Sequence, residues 1–127
     1  MSSWKPNGYT SAAPYLVVTD AKQTLKFLKA VFNAEELRCI ARPGGGFVHA
    51  EARIDDTVVM FCDAADGWPA IESHVHIYVA DVDACYHRAL EAGAQTIQVP
   101  VRKDGLDKRG GVKDAGGTTW WIATQVG

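Results

Sequence analysis

Residues 14–18 form a β-branched apolar run, and after Asp20 the apolar positions switch to helical spacing, with Leu25, Leu28, Val31 and Phe32 on one face and Lys22, Lys26 and Lys29 on the other. Asp20 stands where an N-cap belongs and Asn33 where a left-handed C-cap belongs, so the pattern predicts a strand and then one helix. Residues 35–42, 47–54 and 57–62 read as three further strands, separated by a turn at Pro43-Gly44-Gly45-Gly46 and a tight hairpin at Asp55-Asp56. This unit is βαβββ. After a connection at 63–73 the pattern restarts: residues 74–79 predict a strand, Asp81 or Asp83 an N-cap, and Val82, Cys85, Tyr86, Ala89 and Leu90 an apolar stripe that Gly93 stops. Residues 95–101 predict the next strand, a Gly- and Lys-rich loop runs over 102–110, and two short strands finish at Lys113 and Thr124.

The restart is a repeat. Leu16-Val17-Val18-Thr19-Asp20-Ala21 returns 61 residues later as Ile77-Tyr78-Val79-Ala80-Asp81-Val82, and residues 56–61 return as 117–122 with the same turn-then-strand pattern. Neither half is large enough to bury a core alone, so the two must pack together. The chain therefore reads as one domain over 1–127, with a first module at about 10–66 and a second at about 71–126. The fold class is α+β: tandem βαβββ modules forming a curved mixed sheet with a cup-shaped cleft.

A chain 47% hydrophobic and 22% charged has the apolar content of a packed domain, which excludes disorder. A formal charge of −2 with no basic stripe excludes nucleic acid as a partner. No apolar run is long enough to span a bilayer and the first residues carry no signal-peptide core, which predicts a cytoplasmic protein with no membrane partner. Cys39, Cys62 and Cys85 are widely spaced with no Cys-x-x-Cys, and are expected as buried thiols rather than as a disulfide framework or a zinc ribbon.

Strand parity divides residues 74–79. Val75, Ile77 and Val79 should meet the helix, which turns His74, His76 and Tyr78 to the other side, and the 61-residue offset puts Tyr15 on the matching side of the first module. His49 and Glu51 alternate against Ala50, Ala52 and Ile54. As a general base His49 needs an orienting partner, which Glu51 supplies from the same face; these two are the candidate catalytic residues, against the plainer reading of a cross-strand pair.

The duplication, the segment Asp107-Lys108-Arg109-Gly110-Gly111-Val112-Lys113-Asp114 and the closing Gly117-Thr118-Thr119-Trp120-Trp121-Ile122-Ala123-Thr124 resemble the vicinal oxygen chelate superfamily, which includes glyoxalase I, bleomycin resistance proteins and extradiol dioxygenases. The nearest branch resembles the PhnB-type glyoxalase-like proteins, which close on Gly-Asp-Arg-x-Gly-x-Val-x-Asp-Pro-x-Gly-x-x-Trp. The likeness covers residues 10–126 and departs from that pattern at Leu106, Lys108 and Ala115.

The resemblance implies a homodimer. In metal-dependent members it also implies a divalent ion held by His, Gln or Glu at positions that fall here on Ala13, Met60, His74 and Trp121. Of these only His74 ligates, so the expectation is no metal and no cofactor. The same alignment turns Trp121 rather than Trp120 toward the cup. The expected ligand-binding set is Tyr15, Met60, His74, His76, Tyr78, Lys108, Arg109 and Trp121, with Phe47 and Trp68 extending an aromatic lining. Arg102, Lys103, Lys108 and Arg109, with Asp104 and Asp107 among them, offer a cationic loop to an anionic group. The function expected is binding of a small, partly apolar or anionic molecule without the usual metal site, with catalysis left open. The rivals are a metal-dependent lyase, isomerase or dioxygenase with an atypical His-rich site, and an interaction module whose cup is packed shut.

Overall fold

In the computed structural model, which describes residues 4–103 and 105–127, the sequence pattern becomes eight strands and two helices. The first module holds β1 (Tyr15–Val18), α1 (Ala21–Phe32), β2 (Glu35–Ala41), β3 (Phe47–Ile54) and β4 (Thr57–Asp63). The second holds β5 (Ser73–Tyr78), α2 (Val82–Glu91), β6 (Gln95–Arg102), β7 (Asp107–Lys113) and β8 (Thr118–Gln125). Each module makes a four-stranded mixed sheet of the same topology, ordered β1-β4-β3-β2 and β5-β8-β7-β6. The crossover pairs β1/β4 and β5/β8 are parallel and the remaining pairs antiparallel.

Both helices begin on the expected aspartates. Asp20 accepts from Gln23 N at 3.2 Å and Asp81 from Ala84 N at 3.1 Å, each satisfying a backbone donor that the first helical turn leaves open. Asn33, at φ 54°, closes α1 in the left-handed conformation. Ala92 caps α2, and Gly93 follows it at φ 97°.

One core serves both modules. Val18, Leu28, Val31 and Phe61 from the first join Cys85, Ala89, Trp120 and Ile122 from the second, all fully buried. The helices touch directly: Arg88 Nε and Nη2 donate to the Val31 carbonyl at 3.2 and 3.0 Å, and the Phe32 and Trp120 rings meet at 5.1 Å. Asp114 anchors the β7–β8 hairpin beneath them, accepting from Gly116 N (2.9 Å), Thr118 N (3.0 Å) and Trp120 Nε1 (2.8 Å). Because the helix-facing sides of both sheets meet in this core, their open faces point away from it.

Two expectations need correction. Residues 107–110 are not loop but the first half of β7, and Phe47 lies under α1 beside Leu25 and Lys26 rather than on the open face. Gly110 closed the expected loop, yet it and Gly111 are there for close approach: a Cβ on Gly111 would lie 2.6 Å from the Trp121 ring and one on Gly110 2.9 Å from Pro100. Among the described residues, no helix is long and apolar enough to cross a membrane. Cys62 and Cys85 are buried, Cys39 half-buried, and all three are free.

Candidate functional site

On the second sheet, β5 carries Val75 and Ile77 toward the core and His74, His76 and Tyr78 outward. Parallel pairing sets His76 beside Trp121 and Val75 beside the buried Trp120, and antiparallel pairing sets Gly111 on the other side of Trp121. The missing side chain leaves room for the indole to lie flat. Trp121 Nε1 donates to His74 Nδ1 at 3.0 Å with the two rings nearly parallel (7°), and the Arg109 guanidinium sits 5.1 Å from the indole centre. An indole N–H only donates, so His74 Nδ1 is the acceptor and its hydrogen is on Nε2. His74 and Arg109 therefore both present donors around one aromatic face. Beside Arg109 is a cleft of about 160 Å³ lined by Gln98, Val101, Lys103 and Asp107, and Asp107 accepts from the Tyr78 hydroxyl at 2.8 Å.

Lys108 does not join this group. Alternation along β7 puts Asp107 and Arg109 on the open face and sends Lys108 to the helix side, where its Nζ meets Asp83 of α2 at 2.8 Å. Asp104 lies outside the described residues.

On the first sheet, the register aligns Tyr15, Met60 and Glu51 in one row across β1, β4 and β3. His49 links them: its Nε2 is 2.7 Å from Glu51 Oε2 and its Nδ1 3.0 Å from the Tyr15 hydroxyl. Residues 4–14 cross this face as a strap. The Tyr9 hydroxyl donates to Glu51 Oε1, and Arg53 donates to the Gly8 carbonyl at 3.1 and 3.3 Å. Glu51 is only 2% exposed although it stands on the open side of the sheet. Trp68 reaches over the same face, its Nε1 3.2 Å from Cys62 Sγ. Nothing in the order of residues 4–14 foretells the strap, because a short polar lead has no periodicity.

Burial would raise the Glu51 carboxyl, but the hydrogen bonds from Tyr9 and His49 outweigh it and hold the group below the usual carboxylate range. Its contribution to stability is present above that range and is lost as pH falls through the depressed folded value. Tyr9→Phe is expected to cost about 1–2 kcal/mol at neutral pH and to make the acid loss of stability shallower than in the native chain. Melting curves between about pH 3 and 7 check both.

The expected site residues thus form two groups, Tyr15, His49, Glu51 and Met60 on one sheet and His74, His76, Tyr78, Arg109 and Trp121 on the other. The four family metal positions do not suit a divalent ion. The His74 nitrogen facing Trp121 already accepts the indole hydrogen, a guanidinium stands over that ring, and Ala13 and Met60 bring no hard donor. Among the described residues, no three His, Cys, Asp or Glu side chains gather as a metal site. Larger clefts of about 430 and 500 Å³ lie elsewhere, at Glu72, Lys113 and Gly116 and along Lys22, Lys26 and Lys29 of α1.

Among solved structures, TioX from Micromonospora sp. ML1 superposes with a TM-score of 0.78 at 22% identity, covering 92% of this chain and 99% of that one. The fosfomycin resistance protein FosX of Listeria monocytogenes does so with a TM-score of 0.75 at 17% identity, covering 92% and 94%. TnmS3, an antibiotic binding protein from Streptomyces sp. CB03234, gives 0.72 at 15% identity, covering 93% and 100%. At these identities the likeness shows the fold. In sequence, the uncharacterized protein Mb0911c of Mycobacterium bovis is 32% identical over 128 aligned positions, spanning 90% of this chain and 82% of that protein. The profile of the Glyoxalase/Bleomycin resistance protein/Dioxygenase superfamily matches residues 9–122, and with the duplicated βαβββ fold it places this chain in that superfamily.

Proposed function

We propose that this protein binds a small, partly aromatic anion without a metal, in a cup completed by a second copy of the chain. The observation that carries the reading is the Trp121 ring, held flat by Gly111, with His74 hydrogen-bonded at its edge and the Arg109 guanidinium over its ring. Stacking on an indole contributes about 0.5–1.5 kcal/mol beyond burial. A hydrogen bond to a charged group contributes roughly 1.5–3 kcal/mol, so the donors decide which ring binds. Arg109 has no acidic partner among the described residues.

The second copy enters because the two open faces point away from the shared core and carry exposed apolar groups: Tyr15 (45% exposed) and Ile40 (48%) on one, Tyr78 (61%) and Val101 (39%) on the other. A twofold pair sets the first sheet of each chain against the second sheet of its partner, making two equal cups. Binding of an antibiotic by TnmS3 and resistance to fosfomycin through FosX belong to those proteins; they support the choice of a small-molecule ligand here.

Quenching of tryptophan fluorescence by benzoate, 2-naphthoate and a neutral naphthalene tests the reading, alongside sedimentation for the pair. The acids are expected to saturate and the neutral compound to bind at least about tenfold more weakly. Trp121→Ala and Arg109→Gln should each weaken the acids about tenfold or more, while Lys108→Ala, on the helix side, should not. No saturable change with any acid would leave the closed cup as the better account.

A further inference from the structure

The first sheet holds a hydrogen-bonded chain whose direction is set from its buried end. Glu51 is ionised over the neutral range and a carboxylate only accepts, so both the Tyr9 hydroxyl and His49 Nε2 must bring hydrogens to it. In the tautomer that carries its one hydrogen on Nε2, the imidazole has a lone pair at Nδ1, and the Tyr15 hydroxyl 3.0 Å away is the donor to it. Burial and the neighbouring Cys62 raise the Tyr15 phenol, which keeps its single hydrogen. That hydrogen is spent on His49. Arg38 also favours the ionised carboxylate, and Arg53 on the same strand is engaged by Glu35 and the Gly8 carbonyl.

We infer that Tyr15 faces the cup as a hydrogen-bond acceptor only, so that the ligand carries a donor, a hydroxyl or amino group, at the end opposite its anion. The inference rests on the paired cup proposed above and names the ligand further. The half bearing Trp121 offers donors from His74 and Arg109, and the half bearing Tyr15 offers a lone pair. A molecule with an acidic group at one end of an aromatic ring and an N–H or O–H at the other satisfies both. Met60 and the ring of Tyr15 give the space between them an apolar wall. Tyr15 here is a specificity-determining residue, and Glu51, His49 and Tyr9 are positioning residues that act through it.

Two measurements test this on the full chain. Long-range 15N–1H NMR reads the His49 hydrogens directly at the pH of the binding assay; a hydrogen on Nε2 alone is expected, and a hydrogen on Nδ1, with or without one on Nε2, overturns the inference whatever binds. Fluorescence titration then compares 4-aminobenzoate and 4-hydroxybenzoate, which donate, with 4-methoxybenzoate, which only accepts at that end. The donors are expected to bind about tenfold tighter in the native chain, and Tyr15→Phe is expected to erase the difference. Equal binding of all three by the native chain overturns the ligand assignment while leaving the cup standing. If none of the acids binds, the cup reading falls and the ligand class with it, and the tautomer alone decides the polarity of Tyr15.

Discussion

Asp114→Ala is expected to lower the unfolding free energy by about 3–5 kcal/mol, among the largest effects of any single polar substitution here. The carboxylate is 6% exposed and takes hydrogens from two backbone amides and the Trp120 indole, so its removal strands three donors at the base of the core. Each stranded donor costs roughly 1–3 kcal/mol, with water recovering part of it. Asp114→Asn keeps one acceptor oxygen but turns an amide hydrogen toward a donor, and should fall between the two. Urea unfolding followed by circular dichroism measures all three chains. A loss under about 1 kcal/mol for Asp114→Ala would mean that the hairpin holds Trp120 without it.

The second large effect belongs to Gly111→Val. A Cβ at this position falls 2.6 Å from Trp121 Cζ3 and 2.8 Å from Cε3, so the indole must leave its place and give up His74. Overpacking of this kind costs about 1–3 kcal/mol of stability, and the response to aromatic acids is expected to drop at least about tenfold. Gly110→Ala is the matched control. Its Cβ meets Pro100 and the Gln98 carbonyl, not the indole, so it should destabilise without altering the relative affinities for the acids. Should Gly111→Val bind as the native chain does, the flat indole is not the recognition surface.

How legible these parts were in the sequence follows from how local their causes are. Asp20, Asn33 and Asp81 act on the next turn of chain, and each stands where its residue type predicts. Strand parity over 73–78 was legible for the same reason, since the alternation of Val75 and Ile77 with His74 and His76 is a property of the strand itself. The start of β7 was not. Glycines and charges are the signature of a loop, and Gly110 and Gly111 are needed only because Pro100 and Trp121, which the fold brings alongside, crowd them. Lys108 was misplaced as a consequence, because a residue assigned to a loop has no face. Pairing of His49 with Glu51 was readable from a spacing of two on a strand, whereas Tyr9 and Tyr15 are joined to that pair only by the register of β1 and the path of the strap. Asp114 was visible as part of a motif, but its three hydrogen bonds were not.

The register that places Glu51 beside Met60 places Gly111 beside Trp121, and Met60 and Trp121 are themselves equivalent under the 61-residue repeat. The place across the ladder from these residues thus holds a buried carboxylate in one half and a missing side chain in the other. The halves keep a common backbone but are no longer interchangeable parts, since a tandem of two first modules would lack a surface to stack on and a tandem of two second modules would lack the acceptor. In the twofold pair proposed above each cup would draw one half from each chain, so damage could be partitioned. A mixed pair with Tyr15→Phe in one chain and Trp121→Ala in the other has one cup untouched and one struck twice, and should retain half the native sites at native affinity.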